Sequence, residues 1–357
     1  MATVTFSTHP WVHTTHRGAE NVGFSRRGDG CRRVRDYSRG VPEDPSRDAS
    51  HDVPAGVQRD FPLARLTTIR TGGPAEFFAR PGTIAELQAL LVWAGRQDLQ
   101  VGVVGSGSNL LVSDGGVRGL VVKLDRELSR IELDQDAGDR ILCGGGARLP
   151  AVSAAAARAG LSGIEFGVSI PGTVGGAVRM NANAYGGALA GVLESVQIVS
   201  ANGIQDRAPG ELGFSYRRSN LVAGEIVSHA VFRLARASAD QVKAALADLR
   251  ERRKQAQPAG IKTFGSTFKN PECASAGGRS AGQLLDAAGC RGLRVGDAGF
   301  SLKHANFVEN HGAATTAEVV ELMDQGRRRV RGRFGVELEP EVQLLGAVAL
   351  PDDWESR

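Results

Sequence analysis

The chain has 357 residues, 43 basic and 39 acidic, for a formal charge of +4. Its 41% hydrophobic content is enough to build packed cores, which excludes a wholly disordered chain. No apolar run approaches the about 20 residues that cross a bilayer as a helix, so no membrane insertion is expected.

Residues 1–55 hold four of the seven His and show little periodicity, and they read as a disordered N-terminal extension. The spacing of those His fits no ligand template. The four Cys (Cys31, Cys143, Cys273, Cys290) form no close pair, so neither a metal site nor a disulfide framework is expected, and a reducing cytoplasm is the expected location. From about residue 57 the pattern sharpens. Thr83 and Glu86 have capping-box spacing and open a helix with Ile84, Leu87, Leu91 and Ala94 on its apolar face. A strand at Val101–Val104 runs into a Gly/Ser loop, followed by Leu110–Val112, a turn at Ser113–Gly116, and a strand at Gly119–Leu124. Leu149–Gly160 reads as an Ala-rich helix stopped by its last glycine. After an irregular glycine-rich stretch, strands return at Val196–Ser200 and Ile226–Leu234. Asp240 is expected to cap a helix carrying Val242, Leu246 and Leu249. A further capping box, Thr315 with Glu318, opens a helix to about Arg333, and Val342–Leu345 closes the chain's core as a strand. Strands and helices mix without regular βαβ alternation, which argues for an α+β fold.

Five constellations could carry chemistry. In Gly105–Asn109 (Gly-Ser-Gly-Ser-Asn) small residues let the backbone approach an oxyanion, and successive N–H groups can form an anion nest suited to a pyrophosphate. No Gly-Lys-Ser/Thr ends this loop, so it is not a P-loop. Ile170–Ala177 (Ile-Pro-Gly-Thr-Val-Gly-Gly-Ala) and Thr71–Pro74 (Thr-Gly-Gly-Pro) are two more glycine clusters, and the three together suggest one extended cofactor lying across two lobes. Arg217 in Tyr216-Arg-Arg-Ser219 offers a fork for a carboxylate, or is a solvated surface Arg. Thr263–Pro271 places Ser266 among aromatics and a Lys, which by itself suits a hairpin turn better than a catalytic site. Glu339-Pro-Glu341 carries two carboxylates that point the same way if extended, with surface charge as the plainer reading. The basic run Arg327–Arg333 follows an apolar-faced helix and reads as a solvated helix end, so no nucleic-acid partner is expected.

Taken in order, these segments resemble the UDP-N-acetylenolpyruvoylglucosamine reductase family over about residues 60–347. The matching pieces are Thr68–Pro74, Gly105–Asp114, Gly160–Phe166, Ile170–Ala177, Tyr216-Arg217, Gly265-Ser266 with Phe268–Pro271, Lys303–Asn306 and Leu338–Val342. The resemblance implies a two-lobed FAD-binding fold of the vanillyl-alcohol-oxidase type followed by a C-terminal α+β substrate-binding domain. Its segments would be 56–124, 125–237 and 238–350. It implies FAD as cofactor, NADPH as reductant and a UDP-sugar enolpyruvyl ether as substrate. Carried over by motif, Arg217 and Glu341 manage the substrate carboxylate and Ser266 is the proton donor. Gly72, Gly105, Ser106, Gly107, Ser108, Asn109, Pro171, Gly172, Thr173 and Gly176 fall at the cofactor. Tyr185, Tyr216, Lys254, Asn270 and His304 fall where substrate or NADPH is contacted. Two departures stand out. Asn183 occupies a position that is commonly Gly in the family, and no Tyr-bearing loop is inserted between Tyr216 and Ser266, as in the family's shorter subtype. Two other readings compete with this one: another FAD-linked oxidase of the same fold, and a non-catalytic flavin- or nucleotide-binding module.

Overall fold

The computed structural model describes residues 53–134, 136–258, 260–351 and 354. The expected N-terminal extension lies almost wholly outside them. The described residues fall in a unit spanning His51–Arg357, and they build three cores, each formed where the apolar face of a sheet meets helices.

In the first, strands Gln58–Pro62, Pro74–Ala79, Val117–Val122 and Val101–Val103 lie side by side in that order. The first pair is antiparallel and the rest are parallel. Helix α1 (Ile84–Arg96) crosses over this sheet and buries Leu87, Leu91 and Ala94, spaced four and three apart as one helical face requires, against Phe77, Leu120 and Val122. Its cap differs from the sequence reading in one bond. Thr83 Oγ1 accepts from Glu86 N at 3.1 Å, but Glu86 Oε2 accepts from Gly82 N at 2.8 Å, one residue before the cap.

The second core lies under an antiparallel five-stranded sheet ordered Gly203–Arg207, Leu193–Ser200, Ile226–Arg233, Arg140–Gly144, Ile131–Leu133. Helices α2 (Leu149–Arg158) and α3 (Val174–Arg179) pack Leu149, Val152, Val174 and Val178 onto it. Gly160, at φ +67°, takes the left-handed conformation that ends α2.

The third core is covered by an antiparallel sheet ordered Lys262–Ser266, Phe307–Asn310, Ala298–Phe300, Arg294–Val295. Helices α5 (Ala281–Ala287) and α6 (Thr316–Phe334) pack against it. Thr315 and Glu318 form the full capping box at α6. Helix α4 (Ala239–Ala256) precedes this sheet. It starts after Ser238, not at Asp240, which sits inside the first turn, where its negative charge favours the helix N-terminus without capping it.

The first core's segment also enters the third core. Ile69 and Leu111 are buried there, and strand Leu110–Val112 pairs in parallel with Gln343–Leu345. A three-residue pair closing so long a loop is marginal by itself. Burial of Leu111 against the third core and hydrogen bonds at both ends hold it, Gln343 N to Asn109 O at 3.1 Å and Ser113 N to Leu345 O at 2.9 Å.

Candidate active site

Glu341 sits where three segments converge. After strand Lys262–Ser266 the chain runs antiparallel to residues 339–341. Phe268 bridges Pro340, Lys269 N donates to Glu339 O at 2.8 Å, and Glu341 N donates to Thr267 O at 2.8 Å. That register puts Thr267 opposite Glu341 and Ser266 one position further along. Asn306, which is buried, fixes the first segment. Its Oδ1 accepts from Phe268 N at 2.9 Å, its Nδ2 donates to Phe268 O at 2.8 Å, and its carbonyl accepts from Thr267 N at 2.8 Å. Lys269 Nζ pairs with the exposed Glu339, so the two carboxylates flanking Pro340 take different partners. The Gly/Ser loop closes the other side. Asn109 Nδ2 donates to Glu341 O at 3.2 Å, and a Cβ on Gly265, whose φ is +84°, would stand 3.6 Å from Ser108 O.

Arg217 reaches Glu341 from the second lobe. It is the third residue of a turn in which Arg218 N donates to Ser215 O at 3.2 Å, and its φ is +56°. A non-glycine residue in the left-handed region costs about 1–2 kcal/mol, a strain that concentrates at functional positions. The side chains of Arg217 and Glu341 are 18% and 13% exposed, and Nε lies 2.7 Å from Glu341 Oε1. The Nε–H is not aimed along that contact, so the pair is held by charge rather than by an aligned hydrogen bond. Nη1 donates to Asn183 Oδ1 at 3.0 Å and to Asn183 O at 3.2 Å, and the guanidinium carbon stands 5.2 Å from the Tyr216 ring centre. Residues 179–183 thus form a rack for the turn, since Asn181 Nδ2 donates to Ser215 O at 3.1 Å and Ser219 Oγ to Arg179 O at 2.8 Å. Burial raises the Glu341 carboxyl above the ordinary carboxylate range, with the Arg217 charge opposing.

The other expected contact residues have varied settings. Tyr185 and Gly186 occupy the turn between Asn183–Ala184 and Gly187–Ala188, at φ +50° and +84°, the conformation of a tight type I′ hairpin that presents the Tyr185 ring outward. His304 Nδ1 accepts from Asn306 N at 3.2 Å, and its ring meets Phe307 edge-on. Burial lowers its pKa, which favours the neutral ring with its proton on Nε2. Asn270 commits its Oδ1 to Ala281 N at 3.0 Å, at the start of α5. Lys254 is exposed, and its carbonyl accepts from Lys303 Nζ at 2.6 Å. Its neighbour Arg253 turns inward, donating to Ser169 O at 2.5 Å, beside Tyr185. Arg253 had a sequence signal, because Val242, Leu246, Leu249 and Arg253 recur at helical spacing and Lys254 falls off that stripe.

The glycine clusters divide into two kinds. At the Gly/Ser loop, a Cβ on Gly105 would stand 2.4 Å from Thr173 Oγ1, and one on Gly107 would stand 2.0 Å from Leu66 O. The loop therefore lies between the 66–68 segment and the Pro171–Gly176 cluster. Thr68 N and Oγ1 both donate to Gly107 O, at 3.0 and 3.1 Å, and Lys123 Nζ donates to Gly105 O. Among the described residues, none of the five backbone N–H groups from Gly105 to Asn109 finds an acceptor. A row of free donors beside Gly172 and the exposed Gly176, where an added side chain would meet nothing closer than 3.5 Å, fits a pyrophosphate. Gly72 serves packing, since its Cβ would lie 2.5 Å from Val112 Cβ.

Residues 75–207 match the FAD binding domain model and residues 257–345 match that of the UDP-N-acetylenolpyruvoylglucosamine reductase C-terminal domain. The chain is 44% identical over 295 residues to UDP-N-acetylenolpyruvoylglucosamine reductase 2 of Symbiobacterium thermophilum, covering 82% of this chain and 93% of the relative. It is 44% identical over 302 residues to the reductase of Agathobacter rectalis, covering 82% and 94%. The crystal structure of the Thermus caldophilus enzyme superposes with a TM-score of 0.70 at 38% identity, over 81% of this chain and 98% of that one. A likeness that spans both lobes, the C-terminal domain and nearly the full length of each relative makes this chain a member of the UDP-N-acetylenolpyruvoylglucosamine reductase family.

Proposed function

We propose that this chain reduces the enolpyruvyl ether of UDP-N-acetylglucosamine to the lactyl ether, giving UDP-N-acetylmuramate, with FAD in the cradle of residues 105–109 and 171–176. The observation that carries the proposal is the Arg217–Glu341 contact at 2.7 Å, built beside Ser266 and tied to the cofactor loop through Asn109. The chemistry that FAD supplies when bound is hydride transfer, from NADPH to the terminal carbon of the enolpyruvyl group.

The chain's own residues handle the charge and the proton that follow. Arg217, with Nε beside Glu341 and Nη1 on Asn183, offers its guanidinium charge to the substrate carboxylate, where negative charge develops. Glu341 stays beside Arg217 at 2.7 Å, where burial raises its carboxyl and the Arg217 charge opposes that rise. Ser266 Oγ gives its proton to the carbon next to the carboxylate, which is basic enough to take it from a hydroxyl held within reach. Tyr185, Tyr216, His304, Asn270 and the Lys254 end of α4 border the substrate side. No helix among the described residues is long and apolar enough to cross a membrane.

The test is a pair of anaerobic half-reactions on the purified protein. NADPH bleaches the bound flavin, and the enolpyruvyl nucleotide restores its colour. Restoration by oxygen alone would favour the oxidase reading, and a preparation that cannot be loaded with FAD would overturn both.

A further inference from the structure

We infer that Asn183 is a positioning residue for Arg217, an inference that rests on the reductase reading above and deepens it. Arg217 enters the site from a two-residue turn whose backbone already carries a left-handed residue, so its long side chain has no helix or strand to aim it. Two polar groups among the described residues fix the guanidinium, beside the Tyr216 ring 5.2 Å from its carbon. Glu341 meets Nε by charge at 2.7 Å without an aligned hydrogen bond, which sets distance but little direction. Asn183 supplies the direction, accepting from Nη1 with Oδ1 at 3.0 Å and with its carbonyl at 3.2 Å. A guanidinium has donors only, so the amide must present its oxygen, and a neutral acceptor leaves the positive charge undiminished for the substrate. Asn183 is itself held by the short pairing with Ala188. A Gly at this position would keep the carbonyl contact and lose the side-chain one. The plane of the fork is therefore set here by a residue outside the family's common pattern.

Asn183→Ala removes the Oδ1 contact alone. Flavin content, melting temperature and flavin reduction by NADPH stay unchanged, and anaerobic reoxidation by the enolpyruvyl nucleotide slows about tenfold. In an Arg217→Lys background, which has no fork to orient, the same change adds no further loss. Equal loss in both half-reactions, full additivity with Arg217→Lys, or an unslowed reoxidation would each overturn the inference. Crystal structures of both proteins without substrate give a second readout that needs no turnover. The Arg217 guanidinium occupies one orientation in the parent and several in Asn183→Ala, and an unchanged single orientation in the variant refutes the positioning role. If the parent's flavin is not reoxidised by the enolpyruvyl nucleotide, the reductase reading fails, while the crystal comparison still decides whether Asn183 orients Arg217.

Discussion

Backbone pairing brings Ser266 to within one position of the residue opposite Glu341, yet the two side chains are set apart by chemistry. A hydroxyl that donates a proton late in the reaction contributes nothing to loading the flavin with electrons. Ser266→Ala therefore slows reoxidation by the enolpyruvyl nucleotide at least about a hundredfold and leaves reduction by NADPH within about twofold, as stopped-flow measures. Comparable loss in both would remove Ser266 from the proton-donor role. Glu341 leaves a mark on stability. Burial raises its pKa in the folded chain, so the folded state holds this proton to higher pH than the unfolded state does. Its contribution is complete below the unfolded carboxylate value of about 4.3 and is lost as pH rises through the raised folded value. Melting temperature plotted against pH falls more steeply over that window for the parent than for Glu341→Gln, and parallel curves would refute the shift. Arg217, Ser266 and Glu341 were named through the family resemblance, since each string by itself reads as surface charge or a turn. Asn183 stood out only as a departure from the family's common Gly, and its partner was hidden because a turn 34 positions later must fold onto it.

The long helices and the short strands Val101–Val103 and Gln343–Leu345 were legible locally, while the short helices Val174–Arg179 and Ala281–Ala287 were not. The cap at Thr315 and the stop at Gly160 rest on bonds within a few residues, so local sequence encodes them. The start of α4 was misplaced because Ser238 and Asp240 are both favoured cap residues two positions apart, and the helix begins after Ser238. Pairing of Leu110–Val112 with Gln343–Leu345 has no local cue at all. The Gly/Ser loop lies between these cases, since its composition was legible and its clamp was not. Thr68 grips Gly107 O with two hydrogen bonds, and the left-handed Gly107 packs flush on Leu66 and Thr67. Gly107→Ala sets a Cβ into that backbone, a collision a flexible side chain cannot relieve, and FAD affinity falls at least about tenfold, measured by flavin fluorescence titration. Retention of parental affinity would show that the loop is free to move off the 66–68 segment.

Across the molecule, each of the three cores is a sheet covered by helices, and the proposed catalytic and cofactor-binding residues draw on all three. The Gly/Ser loop comes from the first, Arg217 from the second, Ser266 and Glu341 from the third. All these groups lie within residues 51–357. A protein beginning at residue 51 therefore matches the full chain in flavin content and turnover, and a loss above about threefold would give residues 1–50 a part in the reaction. The mix of strands and helices was legible from periodicity, the lobed architecture came from the family resemblance, and its closure was not legible, because closure rests on contacts such as Asn109 with Glu341, 232 positions apart. That separation sets an order of events during translation. A ribosome adding roughly 5–20 residues per second needs on the order of 10–50 s to pass from the Gly/Ser loop to Gln343. Until then the loop lacks the bond to Gln343 and Asn109 has no Glu341 carbonyl to hold, so a nascent chain carries its cofactor loop for that time without the anchor that residues 341–343 supply.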